Sequence, residues 1–123
     1  MKVSFDFDDT LAEWVGVPKK SSLRSRDKIV LLLRDHYKSG DICVILTARN
    51  NEEAERNEIL KFLEDNNINE ISEIIFTSHT YKGKFTLEHN IDLHYDDDDE
   101  HLESIKEVGV ECINSLHIQP KNS

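Results

Sequence analysis

An apolar run near the amino terminus, Val3-Ser4-Phe5-Asp6-Phe7-Asp8-Asp9-Thr10, ends in three carboxylates and a threonine. A strand with Val3, Phe5 and Phe7 on one face has no folding reason to finish this way. Clustered like charges repel unless a cation or a proton intervenes, and a divalent metal is the simplest compensation. An all-oxygen donor set with few protein carboxylates suits Mg2+, which keeps several waters and shares its shell with a phosphate. The chemistry implied is metal-assisted work on a phosphate group.

Those carboxylates need a scaffold. Apolar periodicity predicts strands near Lys2 to Phe7, Ile42 to Thr47, Glu73 to Thr77, Asp92 to Tyr95 and Val110 to Ile113, with helical segments between them. Lys28 to Lys38 puts Ile29, Leu32, Leu33, His36 and Tyr37 on one helical face, and Ser39-Gly40 stops it. Asn50 with Glu53 reads as a capping box for a second helix that turns Leu60 and Leu63 inward and ends near Asn66-Asn67. Lys84 to Asn90 and Glu100 to Val108 complete the set, the last with Leu102, Ile105 and Val108 inward and Gly109 at its end. The βαβαβαβαβ order predicts an α/β fold, a doubly wound, Rossmann-like parallel sheet whose functional groups lie at the carboxyl ends of its strands.

Several strand ends carry reactive types. The first ends in Asp6-Phe7-Asp8, the second in Leu46-Thr47-Ala48-Arg49 and the fourth in Tyr95-Asp96-Asp97, while Thr77 to Lys84 follows the third. The order and strand placement of these motifs resemble the haloacid dehalogenase superfamily, with its DxDxT signature and mostly Mg2+-dependent phosphatases. The resemblance implies Asp6 as the nucleophile that becomes an aspartyl phosphate and Asp8 as the general acid and base. It implies Thr47, Ala48 and Arg49 as phosphate contacts, with backbone N–H groups opening the following helix; the Arg49 side chain either binds substrate or caps its neighbourhood. It also implies a third-motif lysine, for which Lys84 is preferred over Lys82 because it opens the helix leading to the fourth strand. The metal set implied is Asp6, the backbone carbonyl of Asp8, and Asp97 directly, with Asp96 beside it; Asp98 and Asp99 are expected to cap the next helix.

No cap domain fits: residues 12–27 suffice only for a short flap, and residues 77–84 only for a loop. The resemblance is therefore to the capless group, which acts on large substrates, including nucleic-acid ends and phosphoproteins, or borrows a neighbouring subunit as a lid in a homo-oligomer. Lys19, Lys20, Arg24 and Arg26 in the flap would focus an anionic substrate toward the site; a solvated loop is the competing reading. Nucleotides, nucleic-acid ends and other phosphomonoesters all remain candidate substrates.

Other classes fit less well. A receiver-like signalling module has similar length and an early acidic pair, but needs an aspartate after its third strand and a lysine after its fifth, where this chain has Thr77 and Asn114. A catalytically silent scaffold would not be expected to keep every reactive side chain. The histidines lack zinc spacing, so His79, His89, His94, His101 and His117 read as surface or packing residues. Trp14 reads as a partly buried anchor of the flap, with base stacking as the other option.

Bulk properties set the frame. At 123 residues the chain is long enough for one domain and one core, with a polar tail over residues 114–123. A formal charge of -10 argues against general nucleic-acid binding. Cys43 and Cys112 lie in apolar runs and are expected as reduced thiols in a cytoplasmic protein. No apolar run, Ile29 to Leu33 included, approaches a membrane span.

Overall fold

Short runs rich in apolar and β-branched residues form strands buried on both faces, and helices with one apolar stripe cover them. The computed structural model describes residues 1–16 and 22–118. In chain order the elements are β1 (Lys2–Phe5), β2 (Ala12–Val15), β3 (Ser22–Ser25), α1 (Asp27–Lys38), β4 (Ile42–Thr47), α2 (Glu53–Asp65), β5 (Ile71–Phe76), α3 (Gly83–Glu88), β6 (Leu93–Asp96), α4 (Asp99–Glu107) and β7 (Glu111–Asn114), with a short 3-10 turn over Ser115–His117. The main sheet is parallel throughout and ordered β5-β4-β1-β6-β7. This is the Rossmann-like doubly wound arrangement expected from the element order.

Counting only these five strands, the order is 3-2-1-4-5, whereas flavodoxin-like sheets, receiver modules among them, run 2-1-3-4-5. The winding direction reverses between β1 and β6, and the crevice beyond their carboxyl ends is where such folds bind ligands. Ser4 lies opposite Val44 on one side and His94 on the other, so three strand ends finish at one level. One face of the sheet carries Val3, Phe5 and Cys43 against Ile29 and Leu33 of α1 and Ile59 and Phe62 of α2. The other carries Val44, Leu46 and Ile75 beneath Phe85 of α3. Phe5 and Phe7, fully buried on either side of Asp6 in sequence, each contribute on the order of 1.5–3 kcal/mol and so fix the strand end that carries it.

Several local expectations are corrected. The capping box at Asn50 does not form: Glu52 is the N-cap, and no side chain caps the helix there. Leu60 and Tyr37 are exposed, because the buried stripes run through Ile59, Phe62 and Leu63 in α2 and through Ile29, Val30 and Leu33 in α1. The segment read as a loop-like flap is an antiparallel hairpin, with Ala12 opposite Ser25 and Trp14 opposite Leu23. Lys19, Lys20 and the tail beyond residue 118 lie outside the described residues. Two expectations hold: Gly40 follows α1 with a φ of +91°, and Asp98 caps α4 by accepting from the Glu100 and His101 N–H groups. Among the described residues, no helix is long and apolar enough to cross a membrane.

Candidate active site

The Asp6 carboxylate leaves the end of β1 into a nearly closed space, 7% exposed. Lys82 Nζ donates to it at 2.9 Å and to Asp96 Oδ2, at the end of β6, at 2.6 Å. A fully buried ammonium is tolerated only with such partners. Burial alone would lower the Lys82 pKa, but the Asp6 and Asp96 charges outweigh it and hold it above its ordinary value. Burial pushes the Asp6 carboxyl well up, assisted by Asp96 and opposed by Lys82. Asp96 goes the other way: burial would raise it, yet the bond from His94 and the Lys82 charge pull it well below the usual carboxylate range.

His94 was expected to be a packing or surface residue, and its position is a finding. It is fully buried, with Nε2 2.8 Å from Asp96 Oδ2 and Nδ1 2.6 Å from Ser4 Oγ. A carboxylate can only accept, so Nε2 carries the hydrogen and Nδ1 accepts from Ser4, which is the neutral imidazole. Burial lowers the His94 pKa in keeping with that form, despite the opposing pull of Asp96. The signal was in the sequence: His94 and Asp96 are two apart on a strand and so share a face.

Asp97 brings a third carboxylate. One oxygen each from Asp6, Asp96 and Asp97 lies within 4.8 Å of the others. Both oxygens of Asp96 are engaged, Oδ2 by Lys82 and His94 and Oδ1 by the Asp98 N–H at 3.0 Å. Asp97, half-buried, faces the Thr10 hydroxyl at 3.3 Å. Thr10 Oγ1 lies 3.5 Å from Asp6 and 3.0 Å from Ser115 Oγ; with one proton to give, it serves one carboxylate while Ser115 donates to it. Three carboxylates against one lysine leave negative charge in excess. Hard oxygen donors at this separation fit a small divalent cation such as Mg2+.

Asp8 is held apart from this cluster. Arg49 grips it with Nε on Oδ2 and Nη2 on Oδ1, both at 2.8 Å, and turns Nη1 to Glu58 of α2 at 2.5 Å. The guanidinium also sits over the Phe7 ring, 5.1 Å from its centroid. The Asp8 hydrogen bonds hold the Arg49 pKa above its ordinary value against the cost of burial. Arg49, expected with the phosphate contacts, is thus engaged by two carboxylates. Thr47 is fully buried at the end of β4 and accepts the Arg49 N–H at 3.3 Å. Because α2 starts only at Glu53, the N–H groups after Thr47 belong to a loop rather than to the first turn of the helix.

The preference for Lys84 is corrected. Lys84 is exposed, its Nζ 5.2 Å from the Phe85 ring centroid, whereas Lys82 reaches the carboxylates. The helix begins one residue earlier than expected, which turns position 82 inward. Gly83 makes this possible: a Cβ there would overlap the Ser104 carbonyl oxygen of α4, and the bare backbone instead donates its N–H to Ser104 Oγ at 2.9 Å. In the hairpin, Arg24 pairs with Glu13 and Arg26 donates to the Asp9 carbonyl at 2.7 Å, so these two basic residues brace the fold.

No family model matches the chain, and no curated protein matches it in sequence. Solved structures do. A chain in the structure of the Pnkp1/Rnl/Hen1 RNA repair complex superposes with a TM-score of 0.75 at 16% identity, over 99% of this chain and 43% of that one. A chain in a structure of the Pnkp1/Rnl/Hen1 complex gives a TM-score of 0.75 at 17% identity, over 92% and 45%. This chain therefore spans less than half the length of the chains it matches, and at this identity the likeness establishes a shared fold.

Proposed function

We propose that the chain is a Mg2+-dependent phosphomonoester hydrolase of the haloacid dehalogenase type, acting through an aspartyl phosphate on a nucleotide or a nucleic-acid end. The observation that carries this reading is Asp6, at the carboxyl end of the central strand, within 2.9 Å of a buried lysine and beside Asp96 and Asp97. The nucleic-acid side is supported by the likeness to chains of an RNA repair complex.

An Asp6 oxygen attacks phosphorus while the bond to the ester oxygen breaks, and Asp8 gives its proton to that departing oxygen. Water then attacks the phosphorus of the aspartyl phosphate, Asp8 takes the proton, and the bond to Asp6 breaks to release inorganic phosphate. A carboxylate gripped through both oxygens has none turned to the leaving group, so Asp8 acts once Arg49 frees at least one of its two bonds. Asp6 and Asp97, with the Asp8 carbonyl, would hold Mg2+, and Asp96, saturated by Lys82, His94 and a backbone N–H, steadies the set. When bound, the ion offsets the charge of the carboxylates and of the phosphoryl oxygens. Thr47 and Lys82 bind the phosphoryl group.

The test is Mg2+-dependent release of phosphate from a generic aryl phosphate by the purified protein. Asp6→Asn should abolish nearly all turnover. Equal rates in the two proteins would overturn the covalent mechanism.

A further inference from the structure

We propose that the cleft between the β2–β3 hairpin and α2 is a subsite for the base of a nucleoside phosphate, with Trp14 as its stacking face. The proposal rests on the phosphatase reading above and names its substrate class. The cleft holds about 290 Å³ and is lined by Trp14, Leu23, Glu58, Lys61, Phe62 and Asp65, among others. Ligand pockets of about 300–1,000 Å³ take drug-sized molecules, so this one suits a single ring system. Trp14 and Leu23 are cross-strand partners and so turn their side chains to the same face of the hairpin, toward Phe62 of α2.

Its position follows from the chemistry. A general acid faces the leaving group, so the alcohol part of the ester lies on the Asp8 side of phosphorus. On that side Asp8 is bound by Arg49, Arg49 by Glu58, and Glu58 lines the cleft. One guanidinium therefore separates the proton donor from the cleft. Trp14 is only half-buried there and offers a π-face, while the Lys61–Asp65 pair at 2.9 Å and Glu58 offer polar groups at the rim. Glu58 is paired with Arg49 and Asp65 with Lys61, so the lysine at the rim is already engaged, which disfavours a further phosphate and favours an uncharged ring. A nucleobase has that character, and stacking accepts any base.

Trp14 is the only tryptophan in the chain, so its fluorescence reports on the cleft directly. Without Mg2+, adenosine 3′-monophosphate should quench it and, by calorimetry, bind about tenfold or more tighter than ribose phosphate, the scale of one base–aromatic stack. Trp14→Leu should erase that preference and Trp14→Phe should keep most of it. Equal affinities for the two ligands, or a preference that survives Trp14→Leu, overturn the subsite; should Trp14→Leu fail to fold, the wild-type comparison still decides. A 3′-phosphorylated dinucleotide binding more tightly than the mononucleotide assigns the subsite to a nucleic-acid end, and equal binding assigns it to a free nucleotide. A base preference without Mg2+-dependent hydrolysis of any phosphate ester would remove the phosphatase reading and keep the subsite. Hydrolysis without a base preference would do the reverse.

Discussion

Arg49 grips Asp8 through two parallel hydrogen bonds of 2.8 Å, while its third nitrogen is anchored on Glu58. Bidentate pairs of this kind fix direction as well as charge. If Arg49 works through Asp8, the two act as a unit and their losses do not add. Asp8→Asn is expected to slow turnover by about 10²–10⁴-fold. Arg49→Ala leaves Asp8 free but without the bond that aims it, so its loss should be smaller than that of Asp8→Asn, and the double variant should be no slower than Asp8→Asn alone. Steady-state kinetics on the three proteins checks this, and multiplying losses would give Arg49 a role of its own.

Lys82 and Lys84 should separate cleanly in stability. Lys82→Met leaves Asp6 and Asp96 buried without their counter-charge, and removing one partner of a buried pair costs about 3–5 kcal/mol. Lys84→Met loses only an exposed contact with Phe85, worth at most about 1 kcal/mol. Urea unfolding of both proteins decides between them.

Neighbouring aspartates should fail in different ways. Asp97→Ala is expected to weaken Mg2+ binding in a metal titration with little loss of stability. Asp98→Ala should leave metal affinity nearly unchanged but cost about 1 kcal/mol, since it removes the N-cap of α4. Equal Mg2+ affinity in the two variants would remove Asp97 from the metal set.

The His94 contribution to stability should fall as pH drops below about 6.5. It is opposed by Asp6, whose raised carboxyl takes up a proton in the folded chain first and so favours that state as pH falls. Burial holds the His94 pKa below its ordinary 6.5, so the unfolded chain takes up a proton there that the folded chain refuses. The His94 contribution is full above 6.5 and is lost progressively as pH falls toward the lowered folded value, with a slope of at most about 1.4 kcal/mol per pH unit. His101, lowered chiefly by burial, acts in the same direction. Asp96 is lowered too, but its contribution is lost only below its ordinary 3.8. Chemical denaturation at several pH values should show a shallower slope in His94→Gln, with the remainder traced to His101→Gln.

The carboxylates were legible in the sequence because Asp6 and Asp96 end apolar strands, and a period of two says which face each side chain takes. The lysine was not, because its identity turns on where a six-residue helix begins, and that start is set by the contact of Gly83 with Ser104, far away in sequence. Arg49 showed its type but not its partner: a long side chain reaches either a phosphate or Asp8, and the choice lies in tertiary geometry. The hairpin escaped because its second strand, Ser22-Leu23-Arg24-Ser25, carries a single apolar residue and so shows no apolar period. Leu60 misled through spacing, since Leu60 and Leu63 make a plausible stripe until Ile59 and Phe62 are seen to share the buried face.

The placement of β1 between β4 and β6 bears on how the molecule opens. Edge strands β5 and β7 each have one neighbour and can fray singly, but freeing β1 requires breaking two ladders, and the Asp6 N–H itself is tied to the Tyr95 carbonyl at 2.9 Å. Backbone amides from Val3 to Asp6 should therefore exchange with solvent only through whole-molecule unfolding, while those at the sheet margins exchange through local fluctuation. The strand end that leads into Asp6 belongs to the last part of the sheet to come apart.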